Sequence, residues 1–332
     1  MSLALRNLLL LLITSATIAG AQGSSSGKSL PKPGIREVQV PYSSIKPIAT
    51  IKIGGTADWV LVTEDAVWVA SAKPFAVVRI DPATNKIVAS VRIPGEACSG
   101  LASGFGSIWA PICGKKAGLV RIDAAQNAIR ATLPIVPAGP EGGIAASDDS
   151  VWLVTDRNGT LLRIDPSSNG VRQKISIPPG SYNPIFDSGT VWITGVENNV
   201  ITAVDASSGK VLESIPIGPK PRFLTAGAGS LWTLNQGDGT VTRVDEKSRK
   251  AIATIQVGIP GTGGDIGYGA DSVWPTVFEV PLTRIESTTN RVLKQWVGKG
   301  GDSLRFGFDS LWITDYRKGL LSRIAIQELA AH

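Results

Sequence analysis

Short apolar runs of about four to seven residues follow one another along this chain, separated by clusters of Gly, Pro, Asn and Asp. Runs that are rich in β-branched residues and bounded by turn residues predict β strands joined by tight turns. In one stretch the pattern predicts four successive strands, at residues 144–147, 151–154, 161–164 and 171–177. The repeating part shows no sustained helical period, and only residues 326–331 form a short helix candidate. The chain is therefore predicted to be all-β.

Two coupled motifs recur seven times in one register. The first is an apolar residue followed by Trp, at Trp68, Trp109, Trp152, Trp192, Trp232, Trp274 and Trp312. Successive tryptophans are 41, 43, 40, 40, 42 and 38 residues apart. The second motif ends 12 to 14 residues after each Trp and is Arg-Ile-Asp or a variant of it, at residues 79–81, 121–123, 163–165, 203–205, 243–245, 284–286 and 323–325. Units of about 40 residues with four strands each are typical of propeller blades.

The repeats predict an all-β, seven-bladed β-propeller over residues 47–332, with four antiparallel strands per blade. The seventh unit ends after its third strand, so it lacks an outer strand. Residues 48–53 (Ile-Ala-Thr-Ile-Lys-Ile) resemble residues 252–257 (Ile-Ala-Thr-Ile-Gln-Val), which are predicted as an outer strand. We therefore expect an N-terminal strand to complete blade seven and close the ring, which removes an exposed sheet edge.

The repeated Trp is interpreted as a structural residue that fills the space between neighbouring blades. The alternative is a ring of aromatic side chains that lines the central channel. The Asp of the second motif is expected to cap the turn that follows it, as in Asp81 and Asp165, rather than to bind a ligand.

The start of the chain resembles an export signal. Residues 1–21 contain Arg6, an apolar stretch and Ala19-Gly20-Ala21, which predicts cleavage before Gln22. The alternative is a retained membrane anchor, although the apolar stretch is short for a span. Residues 22–46 are rich in Gly, Ser, Pro and Lys and are predicted to be a flexible linker. We expect an exported protein, periplasmic or extracellular, without a membrane span after cleavage.

The formal charge of +6 falls to +5 without Arg6 and is spread along the chain without a basic run of five residues. Nucleic-acid binding is therefore not expected. We expect a monomer. The single histidine, His332, stands at the chain end, which argues against triad catalysis and classical zinc sites.

Residues 203–218 and 79–94 resemble the YVTN-type propeller repeat, and Leu231-Trp232-Thr233 and Leu311-Trp312-Ile313-Thr314 resemble streptogramin-lyase-like (virginiamycin B lyase-like) blades. The resemblance extends over residues 47–326 and implies the propeller fold. It also implies a lyase that uses a histidine base and a magnesium ion held by acidic residues. No residue matches that histidine, so the activity is not carried over to this chain.

Cys98 and Cys113 flank the first hairpin of blade two, around Phe105-Gly106. Near-opposite positions on antiparallel strands are within reach of a disulfide, and an exported protein favours one. The alternative is a pair of free or redox-active thiols.

Two loop sets of a propeller lie on the same face, here called the top face. About ten residues before each Trp, the loops that lead into the inner strands contribute Asp58, Ser99, Glu141, Tyr182, Arg222, Asp265 and Asp302. Five or six residues after each Trp, the loops between strands two and three contribute Lys73, Lys115, Arg157, Glu197, Asp238, Glu279 and Arg317.

Two patterns in these loops are candidates for binding. Asp58, Asp265 and Asp302 belong to neighbouring blades and could hold Ca²⁺ or Mg²⁺, which prefer oxygen ligands. In the outer set, blades seven to three are basic and blades four to six are acidic, a field that would orient a charged ligand. Ordinary solvated loop charge is the alternative for both patterns.

These observations favour a non-catalytic scaffold that binds a small molecule, protein or peptide at the channel mouth through its top-face loops. The predicted ligand contacts are Asp58, Glu141, Tyr182, Arg222, Lys73, Arg157, Glu197, Glu279 and Arg317. The alternative is a metal-dependent lyase or hydrolase that uses top-face carboxylates. A quinone-dependent dehydrogenase fits less well, because such enzymes normally have a larger propeller and more motifs that face the cofactor.

Overall fold

The structure is a computed structural model that describes residues 33–330, and it contains seven β sheets, each built on four antiparallel strands. The strands of blades one to three are Val60–Val62, Val67–Ala72, Phe75–Asp81 and Lys86–Arg92; Glu96–Ala97, Ala102–Gly104, Ser107–Cys113, Gly118–Asp123 and Ala128–Leu133; Ile144–Ala146, Val151–Asp156, Thr160–Ile164 and Val171–Ser176. Those of blades four and five are Ser181–Asp187, Thr190–Gly195, Val200–Asp205 and Val211–Pro216; Pro221–Gly227, Ser230–Asn235, Thr240–Asp245 and Lys250–Gln256. Those of blades six and seven are Asp265–Gly269, Ser272–Thr276, Leu282–Glu286 and Val292–Val297; Leu304–Gly307, Ser310–Asp315, Leu320–Ala325 and Ala49–Lys52.

The inner strands of consecutive blades contact one another from blade two through blade seven to blade one. The inner strand of blade two contacts the second and third strands of blade one, so the ring is closed. Blade seven is completed by Ala49–Lys52, which pairs antiparallel with Leu320–Ala325. The seven-bladed fold and its closure by an N-terminal strand are therefore confirmed. The only α-helix among the described residues is Ile326–Ala330, and short 3₁₀ turns occur at Arg36–Val38, Tyr42–Ser44 and Gly114–Lys116.

The described part of the predicted linker differs from a flexible segment. Its strand Gln39–Pro41 runs parallel to the outer strand of blade six, pairing Gln39 with Gln295 and Pro41 with Val297. Gly34 also donates its N–H to the carbonyl of Gly258 at 2.6 Å. Residues 33–47, here called the strap, lie against the rim of the propeller. The predicted signal (1–21), residues 22–32 and His332 lie outside the described residues.

The repeated tryptophans are packed between blades, as predicted. All seven are at most 2% exposed. In six blades the arginine of the second motif stacks on the Trp of its own blade, with its Cζ atom 4.6 to 5.6 Å from the ring centroid. These arginines are Arg79, Arg121, Arg163, Arg243, Arg284 and Arg323.

Each of the six arginines also contacts the next unit of the ring. Arg243, for example, donates from Nη1 to the Ser287 carbonyl at 2.8 Å and to Asn290 Oδ1 at 3.0 Å, both in blade six. Arg323 does the same from blade seven to blade one, where it reaches Asn85 at 2.9 Å. We call each such residue an arginine clamp, because it ties two consecutive blades together.

The aspartates of the second motif cap the turns that follow them. Asp205 accepts the N–H of Ser208 at 2.8 Å and the hydroxyl of Ser207 at 2.7 Å. These hydrogen bonds lower the pKa of Asp205 to about 2. Asp165 is held in the same way by Ser167, which also lowers its pKa to about 2.

The inner strand of blade two is split into Glu96–Ala97 and Ala102–Gly104, and both parts pair with Ser107–Cys113. Cys98, which follows the first part, forms a disulfide with Cys113 across a Cα–Cα distance of 5.7 Å. The predicted disulfide is therefore present, and it fixes the loop that carries Ser99 into the channel.

Candidate functional site

The loops that lead into the inner strands place the seven inner candidates around one end of the propeller axis. Tyr182, Arg222 and Asp265 lie on inner strands, and the others lie in or beside the loops before them. Ser99, Tyr182, Asp265 and Asp302 are buried, whereas Asp58, Glu141 and Arg222 are half-buried. We call this end of the axis the channel mouth.

Below the mouth the axis is nearly closed by side chains. The free space there is only about 50 Å³ and is bordered by residues of all seven blades, among them Trp59, Phe223, Asp265 and Arg305. The rings of Trp59 and Phe223 are 6.0 Å apart. A ligand of ordinary size would therefore stay at the mouth instead of passing through.

Asp265 is fully engaged with neighbouring groups at this constriction. Its Oδ2 atom accepts from Arg305 Nη1 at 2.6 Å and from Ser303 Oγ at 2.8 Å, and its Oδ1 atom accepts the N–H of Ile266 at 2.8 Å. The Arg305 charge neutralises the carboxylate that the sequence suggested as a metal ligand.

The remaining carboxylates of the mouth act on one another. Burial raises the pKa of Asp58 well above its usual value, and Asp302, Glu141 and Glu96 raise it further. Burial and the charge of Glu141 raise the pKa of Asp302 to about 7, although the N–H of Gly264 donates to Asp302 Oδ1 at 3.1 Å. Burial also raises the pKa of Glu141, against the opposing effect of Arg222.

Asp58, Glu96, Glu141 and Asp302 thus form an acidic cluster at the mouth. Tyr316, from the loop between strands two and three of blade seven, lies beside it. Burial and the charges of these four carboxylates raise the pKa of the Tyr316 phenol. Carboxylates that are partly removed from water repel one another, and a cation would relieve that repulsion.

The wall of the mouth in blades four and five is built from Tyr182 and Arg222. The Arg222 guanidinium lies 4.9 Å from the Tyr182 ring centroid, and its Nε donates to Gln236 Oε1 at 3.3 Å. The Tyr182 hydroxyl donates to the carbonyl of Pro140. Both predicted contacts are therefore fixed in place.

A groove of about 880 Å³ extends outward from this wall on the top face. Arg222 and Glu197, both predicted ligand contacts, line it together with Lys220 and Gln236. The groove and the acidic cluster meet at Arg222, so a ligand longer than a single charged group has a path away from the axis.

The outer candidates are all exposed and all lie in or beside the loops between strands two and three, as predicted: Lys73, Lys115, Arg157, Glu197, Asp238, Glu279 and Arg317. Most extend from the surface without an ion pair. Arg317 stacks on Phe278 at 4.8 Å, and Asp238 accepts the N–H of Thr240 at 3.0 Å. The structure does not bring these seven residues into one site.

The three residues predicted to bind metal do not form a ligand set. Among residues 33–330, no group of three or more His, Cys, Asp or Glu side chains is arranged to hold a metal ion. The donor set also does not fit a lyase-type magnesium site, because Asp265 is already paired with Arg305. Binding of Ca²⁺ or Mg²⁺ stays a prediction.

Sequence reasoning missed Glu96, Tyr316 and Arg305 at the mouth. Glu96 lies 13 residues before Trp109 because the inner strand of blade two is split, so counting back ten residues reaches Ser99. Tyr316 directly precedes Arg317, so the loop itself was identified.

None of the helices in residues 33–330 is long and apolar enough to cross a membrane.

The chain is similar to known proteins in its fold, and not in its sequence. No protein-family model and no curated protein sequence matches it. A streptogramin B lyase structure is 17% identical, with a TM-score of 0.68 over 83% of this chain and 96% of the lyase chain. BamB from Moraxella catarrhalis is 13% identical, with a TM-score of 0.61 over 85% and 98% of the two chains. The computationally designed Ika8 protein is 10% identical, with the same TM-score over 83% and 98%.

Matches to solved structures number 1617 chains, so this architecture alone does not select a function. At these identities the likeness concerns the backbone and carries no residue of the lyase over to this chain. The resemblance to streptogramin-lyase-like propellers is thus confirmed for the fold: the chain is a seven-bladed β-propeller.

Proposed function

We propose that this chain is an exported binding propeller that holds a positively charged ligand at the channel mouth. The observation that carries the proposal is the acidic cluster of Asp58, Glu96, Glu141 and Asp302. A carboxylate whose pKa is raised by burial and by like charges is in an unfavourable charged state. An ammonium or amidinium group that enters the cluster stabilises that charged state, which provides the driving force for binding.

The rest of the ligand would extend over the groove beside Arg222. A small organic amine or the basic side chain of a peptide satisfies this description, since both present a compact cation on a longer body. The Arg222 guanidinium and Glu197 would then contact the polar part of that body. Cavities of several hundred Å³ are of the size that small ligands occupy.

Export is supported by the leader-like residues 1–21 and by the Cys98–Cys113 disulfide, because such bonds persist in oxidising compartments. Cell fractionation followed by N-terminal sequencing would test it. We expect the mature chain outside the cytoplasm, starting at Gln22. A chain recovered in the cytoplasm with Met1 retained would contradict export.

The cation site is tested by calorimetry with benzylammonium and spermidine at pH 8 and pH 5.5. Because Asp302 has a pKa of about 7, the cluster is more negative at pH 8, and binding should weaken as the pH falls through 7. Asp302→Asn should weaken binding by about tenfold or more, as expected for the loss of one buried charge interaction.

Glu64→Gln, which removes an exposed carboxylate at the other end of blade one, is the matched control and should leave the affinity unchanged. Equal affinities in Asp302→Asn and the unaltered protein, or the same affinity at both pH values, would overturn the proposal.

A second candidate function is a lyase or hydrolase that uses the same carboxylates. The observation in its favour is the pKa of Asp302, because a group that titrates near neutral pH is suited to general acid–base work. If this function holds, Asp302→Asn should lower kcat for a cleaved ligand while KM changes little. If the chain only binds, mass spectrometry will recover the ligand intact.

A further inference from the structure

A second cavity, of about 470 Å³, lies between blades six and seven beneath the strap. Its apolar wall includes Ile313 and Ile324 of blade seven and Val297 of blade six, and Ile45 of the strap covers it. It is far larger than the space on the propeller axis, and none of its lining residues belongs to the acidic cluster.

The cavity exists where the face of blade seven that packs toward blade six has a small side chain. Ser322 is placed by its pairing with Ile313 on one side and Thr50 on the other. Residues at the same register of the other blades are at most 7% exposed: Val78, Val120, Leu162, Thr202, Thr242 and Thr283. Ser322 is half-buried, so the sheets there leave a gap that the strap roofs over.

Polar groups inside the cavity lack partners from the protein. The side-chain hydroxyls of Tyr42, Thr50 and Ser322 make no hydrogen bond within residues 33–330. Burial, with a smaller contribution from Asp315, raises the pKa of the Tyr42 phenol, which therefore stays neutral. The wall thus combines an apolar floor with a few free donors and acceptors, which is the composition of small-molecule sites.

The rim of the cavity is positively charged. Lys299 and Lys318 line it, and Lys52 lies beside them, donating to the Lys318 carbonyl at 2.5 Å. Asp315 pairs with Lys318 at 3.4 Å and offsets one of these charges. Lys299 makes no ion pair with any residue of the part of the chain that the structure describes. The rim therefore has a net positive charge of about two, which favours an anionic group.

We propose that this cavity binds an amphipathic carboxylate, with the acyl chain between blades six and seven and the carboxylate at Lys299. The apolar body would contact Ile45, Ile313 and Ile324, and hydroxyl or carbonyl substituents would reach Ser322 and Thr50. The ligand has the opposite charge to the one expected at the channel mouth, so the two sites select different molecules.

Decanoate is the probe, and thermal unfolding is the readout. At a concentration tenfold above the dissociation constant, a ligand that binds only the folded state should raise Tm by about 2–4 °C. Ser322→Leu fills the cavity with the residue that blade three has at this register, Leu162, so the variant should fold. It should lose most of the decanoate shift.

Lys299→Ala should weaken decanoate binding by roughly three- to tenfold and reduce its dependence on salt. Lys86→Ala, at an exposed outer strand of blade one, is the matched control and should behave like the unaltered protein. Decyltrimethylammonium has an alkyl chain of similar length and the opposite charge. Any Tm shift that it causes should be the same in the unaltered protein and in Ser322→Leu, because this cation should not enter the cavity.

An equal decanoate shift in the unaltered protein and in Ser322→Leu would overturn the proposal, because the chain would then bind elsewhere. The absence of any shift at millimolar decanoate would overturn it as well. Asp302→Asn should leave the decanoate shift intact, and Ser322→Leu should leave benzylammonium binding intact. Failure of one site is thereby distinguished from failure of the other.

Discussion

Two junctions between blades have the same apolar packing but are linked by side chains of opposite charge type. The junction of blades five and six is linked by an arginine, and the junction of blades four and five is linked by carboxyl groups. In the first, Arg243 stacks on Trp232 at 4.6 Å and donates to the turn of the next blade. In the second, Ala203 occupies the register of the arginine, opposite Trp192. The turn of blade five instead presents Glu246, whose carboxyl shares a hydrogen bond with Asp187 of blade four.

The difference shows which parts of a blade are interchangeable. Trp192 is 2% exposed even without an arginine above it, so the apolar packing persists. What changes is the polar link between blades, which is a guanidinium at six junctions and a proton shared by two carboxyls at the seventh. Burial and the Asp187 carboxyl raise the pKa of Glu246 to about 7. This junction should therefore be the one that responds to pH.

The largest effect is expected from removal of residues 47–55, which takes the outer strand from blade seven. The strand beside it carries the clamp Arg323, so the junction of blades seven and one loses both its sheet edge and its support. We expect a sharply lower Tm or loss of cooperative unfolding, measured by calorimetry. An unchanged melting curve would show that ring closure does not depend on this strand.

A smaller effect is expected from Arg243→Ala, which converts the clamped junction into one like that of blades four and five. The loss of a cation–π contact and of hydrogen bonds from a charged group should cost about 2–3 kcal/mol. For a domain of this size that is a fall in Tm of roughly 4–10 °C. Lys250→Ala, an exposed cation on the same blade, is the control, and an equal effect from it would contradict a special role of the clamp.

The reverse exchange, Ala203→Arg, should introduce a clamp at the junction that lacks one. A new cation beside Glu246 favours its charged form, so the pKa of Glu246 should fall from about 7. We expect a stability gain of about 1 kcal/mol at pH 8, measured by denaturant unfolding. A loss of stability would mean that the space at this junction is too small for an arginine.

The smallest effect is the pH dependence of the junction. A carboxyl with a raised folded-state pKa adds stability that is fully present below its unfolded value and is lost as the pH rises through about 7. The unaltered protein should therefore be less stable at pH 8.5 than at pH 5.5. Since Glu246 is partly exposed, its share is at most about 1 kcal/mol. Glu246→Gln should reduce the pH dependence by this share and leave the part that is due to Asp302, whereas Glu64→Gln should not change the profile.

Much of the fold follows from the sequence because its signals are local and repeated. The Trp motif recurs in every unit, and the following turn chemistry and outer strand recur in all units but the seventh, so the register could be counted along the chain. The closing strand was found because residues 48–53 repeat an outer-strand pattern. The strap was not predicted, because its strand pairs with Gln295, which lies more than 250 residues further along the chain. The segment is also rich in Pro and Ser and shows no strand pattern of its own.

The site was predicted less completely, because its chemistry depends on neighbouring blades. Asp58, Glu141 and Asp302 were located by counting, and the structure brings them into one cluster. That Asp265 is neutralised could not be read from its own loop, since Arg305 comes from the next blade. The arginines of the second motif were visible as a pattern, but their role required knowing which turn faces them.

The arginine clamps also bear on how such a ring can grow or shrink during evolution. Each clamp joins an arginine of one blade to the turn of its successor, so the smallest functional module straddles a blade boundary. A gene duplication keeps every clamp arginine opposite the turn of the next blade only if the copied segment is a whole number of repeats long. Insertions that break this phase would leave a guanidinium facing the wrong turn, whereas the junction at Ala203 is packed without any clamp.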